Sequence, residues 1–556
     1  MTDESLLPGL HALRAARGRA VTFLGTRGNR WRIPYPELWN SALRFAGGLR
    51  ARGLRPGDPL LVVLADPQEA IVAILGAMAA GCPPVPVYPP AELGGVPAAL
   101  ESLRHIARRS RARHLVAMPM LLPFLAPTRL ETHRFSRLLD APPAAPERPG
   151  AGDTAFLQFT SGSTAAPKGV IVTHGGLAAN ISMIRAACRM DEDSVVVTWL
   201  PVYHDMGLIG TVLNAISRAN ELVVMPPLLF VRSPRLWLEA MSRARGTHTA
   251  APNFAYGLCA RRVPDVAGLD LSSMRSFICG AEPIVPETLE RFAAHFAPAG
   301  LDARALAPAY GLAEATLAVT FTPHLRGLRC DEDVEPRVPS CGVALDGVEV
   351  RVADSHGEAL PERAVGEVEV RGPTVTPGYV HDPDATRDTF RAGWLRTGDL
   401  GYLYRSELHL CGRSKDVLIV HGRNYYAHDL EASAGQVKGV RRGGVVAFAS
   451  VGADRERVVL VAESRTPQDE ARIERDVRSA LHRAFRLVPD EVRVVPPGTI
   501  PKTSSGKLKR DATRDLYERR ALGAPRGALE TWGAVLRAGL GQITRRRDDT
   551  PPPRST

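Results

Sequence analysis

Short apolar runs rich in β-branched and aromatic residues recur along the chain and alternate with segments of helical character. Two of these runs, Thr154–Phe159 (TAFLQF) and Val170–Thr173 (VIVT), flank a polar turn and predict two buried strands joined as a hairpin. The run FICG, which begins at Phe277, predicts another buried strand. This alternation of strands and helices predicts an α/β architecture.

The best candidate for a membrane span is Ala70–Ala80 (AIVAILGAMAA), which is much shorter than the roughly 20 apolar residues that cross a bilayer. It predicts a buried helix instead. The N-terminal residues place acidic before basic side chains and include no long apolar core, a pattern that is not typical of a signal peptide. We therefore expect a cytoplasmic protein without stable membrane insertion.

Composition sets further bounds on the protein. The chain has 556 residues and 45% hydrophobic content, enough for a large core and more than one domain. Its seven cysteines are widely spaced without a C-x-x-C pair, which argues against a zinc ribbon or a disulfide framework and fits a reducing compartment. The formal net charge is +11, but no nucleic-acid motif accompanies it. We expect no nucleic-acid partner.

Two changes of composition predict domain boundaries. Ala141–Gly150 (APPAAPERPG) is a Pro/Ala linker, and near Cys411–Lys415 the sequence changes from a strand-like run to a charged turn. We expect a large N-terminal domain over 1–412 and a small domain over 413–521. Residues 522–556 predict a peripheral helix followed by a disordered basic and Pro-rich tail.

The ten residues Thr160–Gly169 read TSGSTAAPKG and carry the strongest chemical signal. Such a turn offers backbone N–H groups, hydroxyl donors and one mobile cation, Lys168, to a polyphosphate. The spacing of a Walker loop is absent. The alternative interpretation is a Ser/Gly/Thr-rich surface turn.

Two strand-like runs end in residues suited to a nucleotide. Ala307–Thr316 (APAYGLAEAT) can bring the aromatic face of Tyr310 to a purine and the carboxylate of Glu314 to Mg²⁺ beside phosphates. Glu314 can equally be a helix-surface residue. Phe277–Ile284 (FICGAEPI) runs from a strand directly into Gly280, and ligands of open α/β sheets bind at the carboxyl ends of strands. The alternative is a plain strand-to-helix turn.

Three isolated polar residues are weaker candidates. Asp399, in Trp394–Gly401 (WLRTGDLG), is predicted in a glycine-flanked turn, where it can accept both hydroxyls of a ribose or simply form the turn. His204, in the run WLPVYHDMGLI, adjoins residues that can line an apolar tunnel, or it is a satisfied core histidine. Lys507, in Pro501–Arg510 (PKTSSGKLKR), is expected on an exposed turn or a basic surface loop.

These clusters occur in one order: TSGSTAAPKG, WLPVYHDMGL, GAEP, YGLAE, RTGDLG, GRSKD and PKTSSGK. That order resembles the adenylate-forming superfamily of acyl-CoA synthetases, peptide-synthetase adenylation domains and luciferases. The segments TWLPVYHDMGLIG, APNFAYGLC, AYGLAEATLAV and GRNYYAHDLE are most similar to fatty acyl-AMP ligases. The resemblance covers roughly residues 20 to 520 and is specific as a joint set.

The resemblance implies a role for each matching residue. The residues implied to bind ATP or AMP are Thr160, Ser161, Gly162, Ser163, Thr164, Gly280, Ala281, Glu282, Ala309, Tyr310, Gly311, Asp399 and Arg413. The residues implied at the acyl pocket are His204, Asp205, Met206, Gly207, Asn253 and Phe254. The implied catalytic residues are Lys507, His204 and Lys168, with Glu314 as the Mg²⁺ ligand and Lys415 as the hinge.

The same resemblance implies the fold and the reaction. The fold is a large N-terminal domain of stacked mixed sheets and helices with a small mobile α+β C-terminal domain. The reaction is ATP-dependent activation of a medium- or long-chain fatty acid to acyl-AMP, followed by transfer to the phosphopantetheine thiol of an acyl carrier protein. Carrier proteins are usually acidic, so the positive net charge and pairs such as Arg441–Arg442 and Arg519–Arg520 suit such a partner.

The chain departs from the family pattern at several points. Ala165 and Ala166 replace a glycine that many relatives carry, and Ala427 stands where relatives often have proline. The stretch 322–341 is short for the extra segment that typically disfavours CoA use in fatty acyl-AMP ligases. An acyl-CoA synthetase is therefore the alternative within the family. A non-catalytic nucleotide- or acyl-binding scaffold is the alternative of another class.

Overall fold

A computed structural model describes most of the chain. The described residues are 7–25, 29–89, 96–125, 128–160, 167–420, 423–451, 456–466, 469–502 and 508–522. Three predictions fall outside them: the roles of residues 161–166 in the TSGSTAAPKG loop, the position of Lys507, and the nature of the tail from residue 523 onward.

Twenty-seven strands are numbered in chain order. They are β1 (Ala20–Leu24), β2 (Arg30–Pro34), β3 (Leu60–Val63), β4 (Pro84–Pro86), β5 (His114–Ala117), β6 (Glu131–Arg134), β7 (Thr154–Phe159), β8 (Gly169–Thr173), β9 (Val195–Thr198), β10 (Glu221–Val224), β11 (His248–Ala251), β12 (Ser276–Cys279), β13 (Leu306–Gly311), β14 (Ala318–Phe321), β15 (Cys330–Asp331), β16 (Val338–Pro339), β17 (Val343–Ala344), β18 (Glu349–Ala353), β19 (Gly366–Arg371), β20 (Phe390–Arg391), β21 (Trp394–Tyr404), β22 (Glu407–Arg413), β23 (Val417–Val420), β24 (Arg423–Tyr426), β25 (Val440–Val451), β26 (Glu456–Ser464) and β27 (Glu491–Val495). This count covers the described part of the chain.

The α-helices are numbered in the same way, again for the described residues. They are α1 (Leu7–His11), α2 (Tyr35–Ala51), α3 (Pro67–Ala79), α4 (Val96–Ser110), α5 (Leu122–Leu125), α6 (Phe135–Leu138), α7 (His174–Ala187), α8 (Asp205–Gly207), α9 (Asn214–Ile216), α10 (Pro227–Arg232), α11 (Arg235–Ala244), α12 (Asn253–Arg262), α13 (Pro286–Phe296), α14 (Pro383–Thr389), α15 (Ala427–Ala434), α16 (Glu470–Phe485) and α17 (Arg510–Glu518).

The largest sheet formed by the described residues has nine strands in the order β17-β14-β13-β12-β11-β9-β10-β1-β2. The strands from β13 to β1 in this order run parallel to their neighbours. The strands β14, β17 and β2 add antiparallel edges. Every residue of β11 and β12 is buried, as parallel strands covered on both faces require. The α/β prediction is confirmed.

Two further sheets have four and five strands. A four-stranded parallel sheet has the order β4-β3-β5-β6, and a five-stranded antiparallel sheet contains β18, β19, β21, β20 and β22. The strands β7 and β8 pair as an antiparallel hairpin, as the sequence predicts. The predicted linker, Ala141–Gly150, contains neither helix nor strand.

The apolar stretch at residues 70–80 forms the body of α3, and the predicted buried helix is confirmed. The helix begins after Asp66, whose side chain accepts a hydrogen bond from the Glu69 N–H, and Pro67 occupies the first turn, where no N–H partner is needed. All residues from Ala70 to Ala79 are buried in the core that α3 shares with α2. Over the described residues, no helix combines the length and apolarity needed to cross a bilayer.

The described residues divide into two compact units. The first contains those up to Tyr88 and those from Ile106 to Tyr426, and the second contains Pro89, residues 96–105 and those from Ala427 onward. The division by contacts therefore falls after Tyr426, whereas the sequence predicts a boundary after Gly412. Pairing explains the difference, because β22 extends through Arg413 as the partner of β21 in the first unit.

The second unit has its own core. The strands β25 and β26 pair antiparallel, and β27 joins β26 in parallel. The helices α15, α16 and α17 belong to the same unit. Apolar side chains alternate along the strands, so that Val446, Phe448, Val459 and Val461 face one cluster. This α+β arrangement is the one that the resemblance implies for the small domain.

Candidate active site

Four predicted site segments follow four parallel strands of the large sheet. Trp199 follows β9, Asn253 follows β11, Gly280 follows β12, and Tyr310 lies near the end of β13. The carboxyl ends of parallel strands lie at the same edge of a sheet, which is where open α/β sheets bind ligands. The motifs therefore lie at one edge of the sheet, although Trp199 and Tyr310 are more than one hundred residues apart in the chain.

The hairpin that carries the TSGSTAAPKG loop is closed at its base. The Thr160 N–H donates to the Lys168 carbonyl at 3.0 Å, next to the paired residues Phe159 and Gly169. A Cβ at Gly169 would lie 2.7 Å from both the Phe159 ring and the Val380 side chain, so only glycine fits there. The hairpin fixes both ends of the loop, Thr160 and Lys168, close to each other.

Lys168 and Glu314 both contact Tyr379. The Lys168 Nζ lies 4.8 Å from the centre of the Tyr379 ring, and the Tyr379 hydroxyl donates to Glu314 Oε1 at 2.7 Å. Burial, followed by the Glu314 charge, raises the pKa of Tyr379 above its usual range, which keeps the hydroxyl protonated as a donor. A cation and a carboxylate are thus held by one aromatic side chain.

Sequence reasoning missed Tyr379. Its segment lies along β8: the Val380 N–H donates to the Gly169 carbonyl at 2.8 Å, and the Ile171 N–H donates to the Gly378 carbonyl at 3.1 Å. This pairing joins positions about two hundred residues apart. The local sequence, TPGYV, contains no spacing that would indicate such a contact.

The loop that carries Glu314 is tight and strained. Thr316, which follows the short 3₁₀ turn at Ala313–Ala315, has φ 67° and ψ −60°. The Leu317 N–H donates to the Ala315 carbonyl at 2.8 Å, which makes Thr316 the centre of a γ-turn. The Thr316 hydroxyl donates to the Thr374 carbonyl at 2.6 Å and holds this conformation. A β-branched residue at positive φ is a costly arrangement, of the kind found at functional sites.

The carboxylate of Asp399 is held between two donors. The Tyr310 hydroxyl donates to Oδ2 at 2.7 Å, and the Arg413 Nε donates to Oδ1 at 3.0 Å. Asp399 is buried, whereas the Arg413 side chain is 53% exposed and keeps one side open to solvent. Burial, followed by the Asp399 charge, raises the pKa of Tyr310 well above its usual value.

The prediction that Asp399 lies in a turn is wrong. The residue lies within the eleven-residue strand β21, directly opposite Arg413 of β22. The neighbouring Gly398 has φ +70°, and the register shifts between Leu400 and Gly401, so the glycines form an irregularity inside the strand. Pairing on both sides of β21 keeps the chain extended where the local sequence favours a turn.

The GAEP turn connects the predicted adenine and acyl residues. The predicted strand ends at Cys279 and runs into Gly280, as expected. Ala281 has φ +68°, a conformation that alanine rarely adopts. Glu282 Oε1 accepts a hydrogen bond of 2.6 Å from the Phe254 N–H, and Asn253 Oδ1 accepts one of 3.2 Å from the Val285 N–H. These two bonds tie the turn after β12 to the start of α12.

His204 is the N-cap of the short helix α8. Its Nδ1 lies 2.8 Å from Asp205 Oδ1, and the Met206 N–H donates to that same oxygen at 2.7 Å. Gly207 packs against the Pro201 carbonyl so closely that a Cβ would lie 2.3 Å from its oxygen. The next six residues, Leu208–Leu213, form a π-helix, a rare geometry that is frequent at functional sites.

Aromatic rings lie beside the predicted acyl residues. The Trp199 ring stacks on Phe230 with centroids 4.0 Å apart and planes at 9°. The Phe254 ring meets Trp199 edge-on, with centroids 6.0 Å apart. Trp199, Met206 and Phe230 are buried members of one apolar cluster, and Phe254 packs against it.

Of the two lysines predicted at the hinge and in the small domain, the structure describes Lys415 but not Lys507. Lys415 is exposed in the 3₁₀ turn Ser414–Asp416, which agrees with the predicted charged turn. Lys507 lies outside the described residues, but the chain on either side of its segment pairs within the second unit. The Lys509 N–H donates to the Pro501 carbonyl at 2.9 Å, and the backbones of Lys502 and Leu508 form an isolated antiparallel β-bridge.

Comparisons with known proteins show the family of the chain. A family model described as AMP-binding enzyme matches residues 11–380. The long-chain-fatty-acid–AMP ligase FadD26 of Mycobacterium marinum is 33% identical over 542 residues, which cover 87% of this chain and 91% of that protein. The 4-hydroxyphenylalkanoate adenylyltransferase of the same species is 33% identical over 537 residues, covering 86% of this chain and 85% of that protein.

The fold also has close structural neighbours. A solved structure from a study of fatty acyl-adenylate ligases of E. coli and L. pneumophila superposes with a TM-score of 0.87 at 30% identity, and the match covers 93% of this chain and 98% of that chain. The adenylation-domain fold that the sequence motifs imply is thereby confirmed.

Proposed function

Because the chain belongs to the AMP-binding enzyme family, we propose that it is a fatty acyl-AMP ligase that acts on a medium- or long-chain fatty acid. One observation carries this proposal. The loop from Tyr310 to Glu314 connects both halves of the site: Tyr310 bonds Asp399, and Glu314 bonds Tyr379 beneath Lys168. Groups suited to ribose, phosphate and metal thus share a single short loop.

The proposed reaction has two balanced steps. A carboxylate oxygen of the fatty acid attacks the α-phosphorus of ATP, the bond to the β-phosphate oxygen breaks, and pyrophosphate leaves. A phosphopantetheine thiolate then attacks the acyl carbon, the bond from that carbon to the phosphate oxygen breaks, and AMP leaves. The thiol proton passes to a base or to solvent. No electron carrier is needed in either step.

Electrostatics sets the demand on the site in the first step. Two unit negative charges about 4 Å apart repel by roughly 4 kcal/mol at an effective dielectric near 20. Positioning the carboxylate beside the α-phosphate does not reduce this repulsion. Positive charges at the site must therefore offset it. We assign this task to Lys168, which lies at the base of the hairpin, and, on the family resemblance, to Lys507.

The residues at Asp399 suit a ribose. An ionised carboxylate has about four acceptor positions, and Tyr310 and Arg413 occupy two of them. Two positions are left for a pair of vicinal hydroxyls. We assign the purine to the GAEP turn on the family resemblance, and the left-handed backbone at Ala281 gives that turn the fixed shape that a binding loop needs.

Glu314 suits a magnesium ion that accompanies ATP. Magnesium is bound in nucleotide sites through one or two carboxylates together with phosphate oxygens. Glu314 Oε1 is oriented by the Tyr379 hydroxyl, which leaves the remaining carboxylate positions for a ligand. When bound, such an ion supplies charge neutralisation at the phosphates.

The acyl chain is proposed to lie beyond His204. The apolar cluster of Trp199, Phe230, Phe254 and Met206 suits an alkyl tail. His204, which lies two residues before Met206 in the chain, suits the carboxylate end of the substrate.

The acceptor is proposed to be an acyl carrier protein in the cytoplasm. The net charge of +11 supports an acidic partner through electrostatic steering. The short segment 322–341 favours coenzyme A as the alternative acceptor. It contains the small β15–β16 hairpin and is tied to α13 by Arg337, which pairs with Glu287 at 2.9 Å and with Glu290 at 3.0 Å.

One assay separates the possibilities. The purified full chain is incubated with ATP, Mg²⁺ and a fatty acid, and then with either coenzyme A or a holo-acyl carrier protein, while pyrophosphate and thioester are followed. The proposal expects fatty-acid-dependent pyrophosphate release and acyl transfer to the carrier. Prompt acyl-CoA formation would assign the chain to the synthetases, and no pyrophosphate release would indicate a binding scaffold.

A further inference from the structure

Two histidines and a glutamate lie together on the four-stranded parallel sheet. The strands β5 and β6 pair in a register that sets His114 opposite Glu131. His133 lies two positions after Glu131, so both side chains point to the same face of β6. The edge strand β6 thus contributes two of the three groups, and its neighbour β5 contributes the third.

The ligand atoms of these three side chains converge. His114 Nδ1 lies 3.2 Å from His133 Nε2, and the two rings have centroids 5.4 Å apart. Glu131 Oε2 lies 3.6 Å from His114 Nδ1, and its Oε1 lies 4.0 Å from His133 Nε2. A tetrahedral ion at about 2.0–2.1 Å from its nitrogen and oxygen ligands would set them about 3.3 Å apart. The observed spacing is close to that value.

The exposure of the three side chains and the ligand preference of imidazole indicate which ions the cluster can bind. His133 is 1% exposed and His114 is 14% exposed, whereas Glu131 is 59% exposed, so the group is closed on one side and open on the carboxylate side. Imidazole nitrogens favour zinc, copper, nickel or iron over magnesium or calcium, which prefer oxygen ligands. Three protein ligands leave a fourth position for water.

We propose that His114, Glu131 and His133 form a binding site for a zinc-class divalent transition ion. The ion would take His114 Nδ1, His133 Nε2 and a Glu131 carboxylate oxygen as ligands. The two nitrogens lie 3.2 Å apart, so both accept the ion only when each ring carries its proton on its other nitrogen. The ion would clamp the short edge strand β6 onto β5 and restrict fraying of this edge.

This site is independent of the adenylation chemistry. Its three residues lie on the four-stranded sheet, whereas Lys168, Glu314 and Asp399 are carried by other elements. The inference therefore does not rest on the proposed function, and its test does not use the enzymatic reaction.

The test measures metal binding to the full chain directly. Protein stripped with a chelator is titrated with Zn²⁺ in a calorimeter, and a second sample is loaded with Co²⁺ and examined by visible absorption. We expect a single zinc ion per chain, a tetrahedral-type cobalt spectrum and a rise in melting temperature that the chelator reverses. Absence of saturable zinc binding by the folded wild-type chain would overturn the proposal.

Variants locate the ion. Glu131→Gln changes an exposed side chain and keeps its size, so the fold should survive, and zinc affinity should fall at least about tenfold. His114→Gln should abolish the cobalt spectrum. The matched control is His356→Gln, which removes an exposed histidine far along the chain on another segment. If zinc affinity is the same in Glu131→Gln and in the control, the ion is bound elsewhere and the assignment is wrong.

Discussion

The hydroxyl of Tyr310 donates a 2.7 Å hydrogen bond to Asp399, a residue 89 positions further along the chain. The partner on the other carboxylate oxygen is Arg413, which faces Asp399 across the β21–β22 pair. A second buried carboxylate in the first unit also has a tyrosine and an arginine donor: Asp331 accepts from Tyr402 at 3.1 Å and from Arg363 at 2.9 Å. Asp399 belongs to the candidate site and Asp331 does not. A substitution at Asp331 can therefore serve as the control for the same substitution at Asp399.

The first prediction concerns Asp399→Asn. The amide keeps the size of the side chain but removes the charge and one acceptor oxygen, so a charge-assisted bond worth roughly 1.5–3 kcal/mol is lost. We expect the KM for ATP to rise about tenfold or more while the KM for the fatty acid stays unchanged, as measured by pyrophosphate release. Asp331→Asn is the control and should leave the KM for ATP near the wild-type value. Equal effects in both variants would contradict a ribose site at Asp399.

The second prediction concerns Tyr379→Phe. The substitution keeps the ring beneath Lys168 and removes only the hydrogen bond to Glu314. We expect the Mg²⁺ concentration for half-maximal adenylation to rise severalfold, because Glu314 loses its orientation. Tyr402→Phe removes a similar hydroxyl-to-carboxylate bond away from the site and should not change the Mg²⁺ dependence. An unchanged dependence in Tyr379→Phe would argue against Glu314 as a metal ligand.

The third prediction compares two lysines of one segment. Lys507→Ala should lower the rate of adenylation by about 10²-fold or more, as the loss of one group that neutralises developing charge does, with little change in ATP affinity. Lys502 donates to the Gly443 carbonyl at 3.0 Å, so Lys502→Ala is the control and should keep most of the activity. Single-turnover kinetics and equilibrium binding of ATP measure the two effects separately. Wild-type adenylation by Lys507→Ala would remove the assigned role.

The fourth prediction concerns the anchor of that segment. Glu463 is fully buried, and its Oε1 accepts from the Gly498 N–H at 2.8 Å and the Ile500 N–H at 3.1 Å. Its Oε2 accepts from Arg441 at 2.6 Å. Glu463→Ala leaves two N–H groups and a cation without this partner, so we expect a loss of about 3–5 kcal/mol in unfolding free energy.

The conservative variant checks this reasoning. Glu463→Gln keeps an oxygen for the two N–H groups and should lose clearly less stability than Glu463→Ala in urea unfolding of the full chain. If both variants unfold at the wild-type urea concentration, the bonds to Gly498 and Ile500 do not hold the segment in place.

The fifth prediction is a pH dependence of stability. His248 is 3% exposed, and burial lowers its pKa from 6.5 to about 4. The histidine takes up a proton near pH 6.5 in the unfolded chain but only near pH 4 in the folded chain. Its contribution to the free energy of unfolding is therefore fully present above pH 6.5 and is lost as the pH falls toward 4. The contribution is on the order of 3 kcal/mol. Urea unfolding across this range should show a smaller acid loss for His248→Gln, and an equal loss would contradict the buried neutral histidine.

Local sequence patterns predicted the parts of the fold that local interactions decide. The β7–β8 hairpin, the buried helix α3 and the strand that ends at Gly280 all follow from short runs of apolar residues and their turn signals. In these segments the hydrophobic pattern and the backbone preferences agree.

The features that sequence reasoning missed depend on distant pairing. Asp399 was expected in a turn, but β19 and β22 pair with β21 on both sides and keep it extended. Tyr379 reaches Glu314 only because its segment lies along β8. Local composition carries no information about such partners.

Isotope transfer from the fatty acid tests the central claim most directly. The full chain is supplied with ATP, Mg²⁺, a carrier protein and a fatty acid whose carboxylate oxygens are ¹⁸O, and the released AMP is weighed by mass spectrometry. Attack of the carboxylate on the α-phosphorus, followed by cleavage at the acyl carbon, leaves a single labelled oxygen on AMP. Unlabelled AMP, or ADP in its place, would show that no acyl-adenylate forms and would contradict the account.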